Sequence, residues 1–267
     1  VLTIGKIYPN WTSASETEYE HMFHEARKSE MQAMKDRGIL HKIPISQVPK
    51  GERLFTSSML FTLKGDGNNN IERAKARWVF GGHRQIEGVH YQDSASFCPR
   101  WSSIRTFLAI AAKKNRKIKS GDITTAFLFA DASSTLYMKS PRDQVEYCEK
   151  TGDQIVYKVT GNLYGRKDAG RQWMLHFTTF LKSIGFKPNK IDPCLFDREI
   201  MVEGKLQTIS LVTYVDDLCY HGNSTDAIQL FEEQMESKFG PIKSQFPTFF
   251  LGCNFTQTEN KIHISNK

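Results

Sequence analysis

The segment TISLVTYVDDLCYHG, from Thr208 to Gly222, limits the fold of this chain more than any other segment. Two runs rich in β-branched and aromatic residues flank the adjacent carboxylates of Asp216 and Asp217. This pattern predicts two antiparallel strands joined by a tight turn, with both carboxylates at the hairpin tip. Two interpretations of the pair are open, because Asp is a common turn residue and because neighbouring carboxylates also bind cations.

Length and composition predict an ordered protein. A chain of 267 residues is long enough for two subdomains or for one large α+β unit with its own core. A hydrophobic fraction of 39%, with 18 Phe, argues against disorder. No apolar run approaches the ~18 residues of a membrane span, and the N-terminal segment lacks the basic-then-apolar order of a signal peptide. We therefore expect a soluble intracellular protein with no membrane partner.

The five cysteines are scattered and never occur in CxxC spacing, so they indicate neither a disulfide framework nor a zinc site. The net charge of +7 favours an anionic partner. The densest basic cluster is KKNRKIK, from Lys113 to Lys119. It is suited to contact with a phosphate backbone, but lysines at the end of a helix also complement the helix dipole.

Periodicity and end signals predict four helices, at about residues 15–37, 102–115, 169–184 and 225–239. Ser15 and Glu18 form a predicted capping box for the first helix. The last two helices each carry a predicted core face, made of Trp173, Phe177, Phe180 and Ile184 in one and of Ile228, Phe231, Met235 and Phe239 in the other.

Between the first two helices, β-rich runs flank a Gly/Asn-rich turn from Gly65 to Asn70. They predict a hairpin arm that carries Lys64, Lys75 and Arg77. No segment has the composition of a linker between domains. We therefore expect subdomains that are interleaved or tightly packed.

The motifs of several enzyme classes are absent from the sequence: it has no GxxxxGK[ST] loop, GxGxxG turn, HExxH helix or GxSxG elbow. A third candidate carboxylate, Asp122, follows a predicted strand start in KIKSGDITTAFLFAD. If the fold brings Asp122 to the Asp216–Asp217 pair, the three carboxylates are suited to two Mg²⁺ ions roughly 3.5–4 Å apart.

Seven blocks then occur in an order that resembles the reverse transcriptase of copia-type LTR retrotransposons. They are KAR (75–77), GDITTAFLFAD (121–131), LYMKSP (136–141), LYGRKDAGRQW (163–173), DPCLF (192–196), YVDD (214–217) and FLG (250–252). The resemblance implies an α+β right-hand polymerase fold with fingers and palm, in which helices pack on an antiparallel palm sheet. It assigns residues 1–98 to an N-terminal helix and fingers, 99–138 to palm, 139–168 to fingers, and 169–267 to palm through a primer-grip-like segment, with no thumb or ribonuclease H domain.

The resemblance also assigns roles to residues. It implies that Asp122, Asp216 and Asp217 are catalytic and bind two Mg²⁺ ions, for which Mn²⁺ is a substitute. Phe127 matches the steric gate that excludes a ribose 2′-hydroxyl, although a buried core position explains a Phe there equally well.

Further residues match nucleotide and primer contacts. Tyr164 and Gly165 match the segment beside the incoming nucleotide, and the cations Lys64, Lys75 and Arg77 match those that hold its triphosphate. The primer grip corresponds to Leu251, Gly252 and Cys253, for which an ordinary β-turn is the alternative.

Two blocks depart from the family pattern. The usual LKQAP reads RKDAG at Arg166 to Gly170, and the common KARLVARG reads KARWVFGG at Lys75 to Gly82. We interpret Asp168 as added negative charge near the nucleotide site, and Gly81 with Gly82 as a loosened strand end. The departures fit either a divergent active enzyme or a copy released from selection.

The implied function is RNA-directed DNA synthesis, with a primed RNA or DNA template and dNTPs as partners. Integrase and ribonuclease H domains of a polyprotein are implied neighbours, and the implied location is cytoplasmic, in a virus-like particle, or nuclear. The alternative is a domesticated or degenerate relative that serves as a nucleic-acid-binding or protein-interaction scaffold. The sequence carries no indication of oligomeric state.

Overall fold

The computed structural model describes residues 5–65 and 70–266, which form a mixed α/β structure with mainly antiparallel sheets. The α-helices are α1 (Trp11–Ser15), α2 (Glu20–Asp36), α3 (Trp101–Lys113), α4 (Ala169–Ser183) and α5 (Thr225–Phe239). The strands are β1 (Ile7–Tyr8), β2 (Leu40–Pro44), β3 (Leu54–Phe55), β4 (Ser57–Gly65), β5 (Ile71–Phe80), β6 (Lys119–Asp122), β7 (Asp131–Lys139), β8 (Ile155–Gly161), β9 (Lys187–Pro188), β10 (Leu195–Val202), β11 (Lys205–Tyr214), β12 (Asp217–Gly222), β13 (Phe249–Phe250), β14 (Cys253–Thr258) and β15 (Lys261–Asn266).

Three of the four predicted helices are confirmed to within two residues, as α3, α4 and α5. The ends of α5 have clear local causes. The Ser224 hydroxyl accepts a hydrogen bond from the Ala227 N–H, and Gly240 ends the helix at φ 80°, a conformation that Gly adopts without steric cost. The predicted core face of α5 is buried throughout. On the predicted core face of α4, Trp173 and Phe177 are buried and Phe180 is partly exposed, as is Ile184, which directly follows the helix.

The helix predicted at residues 15–37 is wrong at its start. The structure has α1 and α2 instead, and Ser15 is the last residue of α1. The Thr17 hydroxyl donates to the Ala14 carbonyl oxygen and accepts from the Tyr19 N–H. Such local side-chain hydrogen bonds compete with a continuous helix, and they account for the interruption.

The chain forms two compact units, and it passes through each of them twice. Unit 1 consists of residues 1–95 and 127–173, and unit 2 of residues 96–126 and 174–267. This interleaving agrees with the absence of a linker in the sequence. Unit 1 contains the sheets β1-β4-β5 and β2-β8-β7-β3, and unit 2 contains the sheets β6-β12-β11-β10-β9 and β13-β14-β15.

The predicted hairpin arm of unit 1 is the antiparallel pair of β4 and β5. The turn predicted between Gly65 and Asn70 falls mostly on residues 66–69, which lie outside the described residues. One face of the hairpin is buried because apolar residues alternate along both strands, and α2 packs on it. Phe23 of α2 is fully buried, with its ring centroid 5.2 Å from that of Tyr8 and 5.5 Å from that of Phe61.

The five-stranded sheet of unit 2 is buried on both faces at its centre. Alternate residues of β12 point to opposite sides, so that Cys219 joins a core cluster with α3 while Tyr220 contacts the Phe231 ring of α5, with centroids 5.2 Å apart. On the side of the sheet that carries Tyr220, α5 packs against β10, β11 and β12. The Tyr220 hydroxyl donates to the Glu232 carboxylate over 2.6 Å.

All five cysteines are free thiols. Within residues 5–65 and 70–266, no helix combines the length and the apolar character that a membrane crossing requires.

The packing of Phe23 generates a stability prediction. We expect Phe23→Ala to lower the free energy of unfolding by about 3–5 kcal/mol, because the surrounding aromatic rings cannot collapse fully into the cavity. Urea denaturation followed by fluorescence measures the change. The matched control is Lys28→Ala on the exposed side of the same helix, which we expect to change stability by less than about 0.5 kcal/mol. Equal effects of the two substitutions would contradict the assignment of Phe23 to the core.

Candidate active site

The hairpin predicted around the two carboxylates is confirmed. Tyr214, at the end of β11, pairs with Asp217, at the start of β12, so the connecting loop has only two residues, Val215 and Asp216. Val215 has φ 56°. A β-branched residue rarely adopts this left-handed conformation, which costs on the order of 1–3 kcal/mol. The tip is therefore a strained turn, and this kind of strain is concentrated at functional sites.

Asp122 lies beside this tip. β6 pairs antiparallel with β12, and the residue opposite Asp217 in the register is Asp122. One residue further on, the Ile123 N–H donates to the Asp216 carbonyl oxygen over 3.0 Å. Backbone pairing thus brings together three carboxylates that are far apart in the sequence.

These carboxylates repel one another. Asp122 is exposed, whereas Asp216 and Asp217 are half-buried. Burial raises the pKa of Asp217 to about 6, and the charges of Asp216 and Asp122 add to this increase. The tip therefore concentrates negative charge that favours binding of either a proton or a cation.

The three side chains fit a hard divalent cation, since all of them offer carboxylate oxygens, two from the ends of adjoining strands and one from the hairpin loop. Among the residues that the structure describes, no group of three or more His, Cys, Asp or Glu side chains has the arrangement of a metal centre. The three Asp side chains therefore do not form a closed coordination shell in their present conformations.

A cavity of about 510 Å³ adjoins the tip and is shared with the predicted primer-grip turn. Asp217, Tyr214, Leu251 and Gly252 all contribute to its lining. Leu251 and Gly252 have φ values of 49° and 81° and form the two-residue turn between β13 and β14, as hairpin turns with two left-handed residues do. Cys253 is only 4% exposed, so its side chain belongs to the core of unit 2.

In unit 1, three of the predicted nucleotide-binding residues stack on one another. Phe127 lies in a short 3₁₀ helix, and its ring centroid is 5.2 Å from that of Tyr164. The Arg77 guanidinium lies 5.2 Å from the Tyr164 ring centroid, within cation–π distance. Phe127 is only partly buried, so its ring is accessible in this stack.

Glycines allow the backbone around Tyr164 to pack closely. Gly165 has φ 89°, and a Cβ there would collide with the Phe80 carbonyl oxygen. A Cβ on Gly82 would in turn collide with the Gly165 carbonyl oxygen, and one on Gly81 would lie 2.5 Å from the Thr56 hydroxyl. The interpretation of Gly81 and Gly82 as a loosened strand end is therefore wrong, because their missing side chains permit tight contact.

The predicted cations lie on one face of the β4–β5 hairpin. Lys75 and Arg77 are two residues apart on β5, and Lys64 of β4 is opposite Arg73. Since residues at even spacing share a strand face, Arg73 joins this basic surface. Arg73 is missing from the sequence-based set, although its spacing of two from Lys75 is visible in IERAKAR.

The basic segment from Lys113 to Lys119 has mixed roles. Arg116 donates to the Thr208 hydroxyl over 2.8 Å, and Lys119 forms an ion pair of 2.8 Å with Glu232. Lys113 ends α3, in agreement with the helix-dipole interpretation, and Lys117 is exposed. Part of the segment thus serves the fold of unit 2.

The interpretation of Asp168 as added negative charge at the site is also wrong. Asp168 is fully buried and forms an ion pair with the buried Arg166, with Nε and Oδ1 3.3 Å apart. Its charge is neutralised inside unit 1. Burial of this kind cannot be read from a loop sequence.

Comparison with known proteins gives a consistent result. Residues 42–267 match the family described as Reverse transcriptase (RNA-dependent DNA polymerase). The retrovirus-related Pol polyprotein from transposon TNT 1-94 of Nicotiana tabacum is 31% identical over 80% of this chain and 16% of its own length. The Pol polyprotein from transposon RE2 of Arabidopsis thaliana is 27% identical over 78% of the chain and 14% of its own length. The Ty1-DR5 Gag-Pol polyprotein of Saccharomyces cerevisiae is 24% identical over 79% of the chain and 10% of its own length. The chain thus corresponds to less than a fifth of these relatives, and the predicted resemblance to this group is confirmed.

The crowded carboxylates generate a pH-dependent stability prediction. The pKa of Asp217 is about 6 in the folded protein and about 4 in an unfolded chain, so its protonated form stabilises the fold and this contribution is lost as the pH rises from about 4 through 6. We therefore expect Asp217→Asn, in EDTA, to raise the Tm at pH 8 by at least ~2–4 °C and to lose this advantage toward pH 4. Differential scanning calorimetry across this pH range measures the effect.

The control for this measurement is Asp226→Asn, which removes an exposed carboxylate from the first turn of α5 and should give no such gain. A Tm for Asp217→Asn that equals that of the parent protein at pH 8 would contradict the repulsion.

Proposed function

The chain belongs to the reverse transcriptase (RNA-dependent DNA polymerase) family, and on this premise we propose that it extends a nucleic-acid primer with dNTPs on an RNA or DNA template. The observation that carries the proposal is the pairing of Asp122 with Asp217 beside Asp216, which assembles three carboxylates at one sheet edge. The chain spans less than a fifth of its curated relatives, so the proposal concerns the polymerase step alone.

We assign the metal-binding role to Asp122, Asp216 and Asp217, with Mg²⁺ as the cation and Mn²⁺ as a substitute. Two such ions, when bound, would lower the pKa of the primer 3′-hydroxyl and neutralise charge on the triphosphate. Asp122 and Asp216 would be the first and second catalytic acids that hold the ions, and Asp217 would be their partner. The mutual repulsion of the carboxylates supports the assignment, because a divalent cation relieves it.

The residues of unit 1 serve the incoming nucleotide in this proposal. Lys64, Lys75 and Arg77 bind the triphosphate by charge-assisted hydrogen bonds, and Arg73 is added to them because it shares their strand face. Tyr164 and Gly165 lie against the nucleotide, with Phe127 as the gate. The accessible stack of Phe127, Tyr164 and Arg77 supports a common role for these three side chains.

The turn of Leu251 and Gly252 is the proposed primer grip. It supports the primer end through its backbone, and the 510 Å³ cavity that this turn shares with Asp217 is large enough for part of a nucleotide. Cys253 contributes to the grip only through its backbone, since its side chain is buried.

The finer architecture is also part of the proposal. Unit 1 corresponds to fingers and unit 2 to palm of a right-hand polymerase. This division differs from the predicted bounds because residues 127–138 and 169–173 belong with the fingers and residues 96–98 with the palm. The relatives named Pol polyproteins are much longer than this chain, and we propose integrase and ribonuclease H domains as its neighbours in a longer chain. A virus-like particle in the cytoplasm, or the nucleus, is the proposed location.

The first test is primer extension with Asp216→Asn. We expect the parent protein to extend a primer on an RNA template with dNTPs and Mg²⁺, and the variant to lose on the order of 10³-fold in rate while binding primer-template with unchanged affinity. Gel-based extension and fluorescence anisotropy measure the two quantities. Asp226→Asn is the control for loss of an acid elsewhere in unit 2. Extension that survives in Asp216→Asn would refute the assignment, and intact binding without extension by the parent would favour a scaffold.

The second test concerns sugar selection. We expect Phe127→Ala to raise the use of rNTPs relative to dNTPs by about 10- to 10²-fold, because the ring no longer excludes a 2′-hydroxyl. The matched control is Phe129→Ala in the same 3₁₀ helix, whose ring stacks under the Arg37 guanidinium at 3.6 Å. Single-nucleotide incorporation with each substrate gives the ratio. An unchanged ratio in Phe127→Ala would assign this ring to packing alone.

A further inference from the structure

Two buried charges follow directly after Tyr164 and Gly165 in the chain. Arg166 is 4% exposed and Asp168 is 0% exposed. They stand where the family pattern LKQAP has Leu and Gln. A buried ion pair is weak support for stability alone, because desolvation offsets the attraction of the charges. The pair is therefore better explained by the loop position that it fixes than by a gain in stability.

Several hydrogen bonds hold the pair in place. Arg166 donates through Nε to Asp168 Oδ1 over 3.3 Å, and through Nη2 to Oδ2 over 3.5 Å. Its Nη1 donates to the Ser134 carbonyl oxygen over 3.1 Å, and the Ser133 hydroxyl donates to the Asp168 carboxylate. Both partners therefore fasten the loop to β7, which contains Ser133 and Ser134.

The same loop is fastened at three further points. The Phe80 N–H donates to the Tyr164 carbonyl oxygen over 2.8 Å, and the Lys167 N–H donates to Gln85 Oε1 over 2.8 Å. The Asp168 carbonyl oxygen accepts from the Gln172 N–H over 2.9 Å, in the first turn of α4. These hydrogen bonds fix the backbone that carries Tyr164 relative to β5, β7 and the first turn of α4. The buried Arg166–Asp168 pair lies in the middle of this loop.

We propose that the Arg166–Asp168 pair positions the Tyr164 ring against Phe127 and thereby sets the affinity for the incoming nucleotide. The proposal rests on the nucleotide-binding role of Phe127 and Tyr164. Arg166 and Asp168 touch no substrate in it and act through the loop, so they are positioning residues. Removal of one partner leaves the other charge buried without compensation, and that charge displaces the loop toward water. Removal of both leaves no buried charge to displace it.

The first experiment uses three variants. These are Asp168→Asn, Arg166→Leu and the double variant Arg166→Leu/Asp168→Gln, which restores the Leu and Gln of the family pattern. We expect each single variant to raise the KM for dNTP by about 10- to 10²-fold, with a much smaller change in kcat and in primer-template Kd. The double variant should return to within about threefold of the parent KM, because coupled residues are not additive. Asp93→Asn is the control, since it breaks the half-exposed ion pair of 3.0 Å with Arg171 in the same unit.

The second experiment needs no catalysis. Hydrogen exchange of the Phe80 amide reports on the bond to Tyr164, and we expect it to quicken by about tenfold or more in Asp168→Asn and to recover in the double variant. Exchange at Phe61, in the middle of β4, is the internal reference. If the parent protein does not extend primers, the proposed function fails, while this measurement still decides whether the pair holds the Tyr164 loop.

Three outcomes would overturn the proposal. Single variants could lower Tm while the KM for dNTP and the exchange at Phe80 stay at parent values, which would reduce the pair to a structural role. The double variant could show the sum of the two single losses. Exchange at Phe80 could quicken without any rise in KM, which would separate the loop position from nucleotide affinity.

Discussion

The antiparallel pairing of β6 with β12 is the interaction on which the carboxylate site depends. It joins strands that are remote in sequence and sets Asp122 opposite Asp217 by neutral backbone hydrogen bonds, against the repulsion of the side chains. The pairing is anchored at its other end, where Lys119 of β6 and Tyr220 of β12 both contact the Glu232 carboxylate of α5. The sheet and its helix thus hold charges together that would separate in a flexible loop. The strained Val215 at the tip is tolerated because the surrounding strands determine its conformation.

In unit 1, two different physical effects fix the loop beside Tyr164. One is steric, since Gly82 and Gly165 let two backbone segments approach more closely than any Cβ would allow. The other is electrostatic, since Arg166 and Asp168 satisfy one another inside the core. The stack of Arg77, Tyr164 and Phe127 lies on this doubly supported loop. The divergence in the RKDAG block is therefore compatible with an ordered site, because Arg166 and Asp168 neutralise one another's charge.

Local sequence patterns predicted many of the helices and hairpins of this structure. The features that they did not predict depend on packing between segments that are distant in the sequence. Three helices and both hairpins follow from periodicity and turn chemistry, which act over a few neighbouring residues. The break between α1 and α2 was missed because the Thr17 hydroxyl outcompetes the capping box expected at Ser15. The proximity of Asp122 to the tip came from the family resemblance, since no periodicity reports a pairing between distant strands. The sequence-based interpretations of Asp168 and Gly82 were wrong. The burial of Asp168 and the close approach of Gly82 to Gly165 both depend on segments that are distant in the sequence.

The double passage of the chain through each unit has a consequence for synthesis on the ribosome. Residues 96–126 of unit 2 emerge before unit 1 is complete, and β6 must wait for β12, which follows much later in the chain. Pairings between remote segments form slowly, because the intervening chain must first be closed into a loop. During this interval α3 and Ile118, which precedes β6, expose apolar residues that are covered only when the C-terminal segments arrive. The nascent chain is thus expected to be most prone to aggregation, and most in need of chaperones, until the segment that contains Val212, Cys219 and Phe255 has been translated.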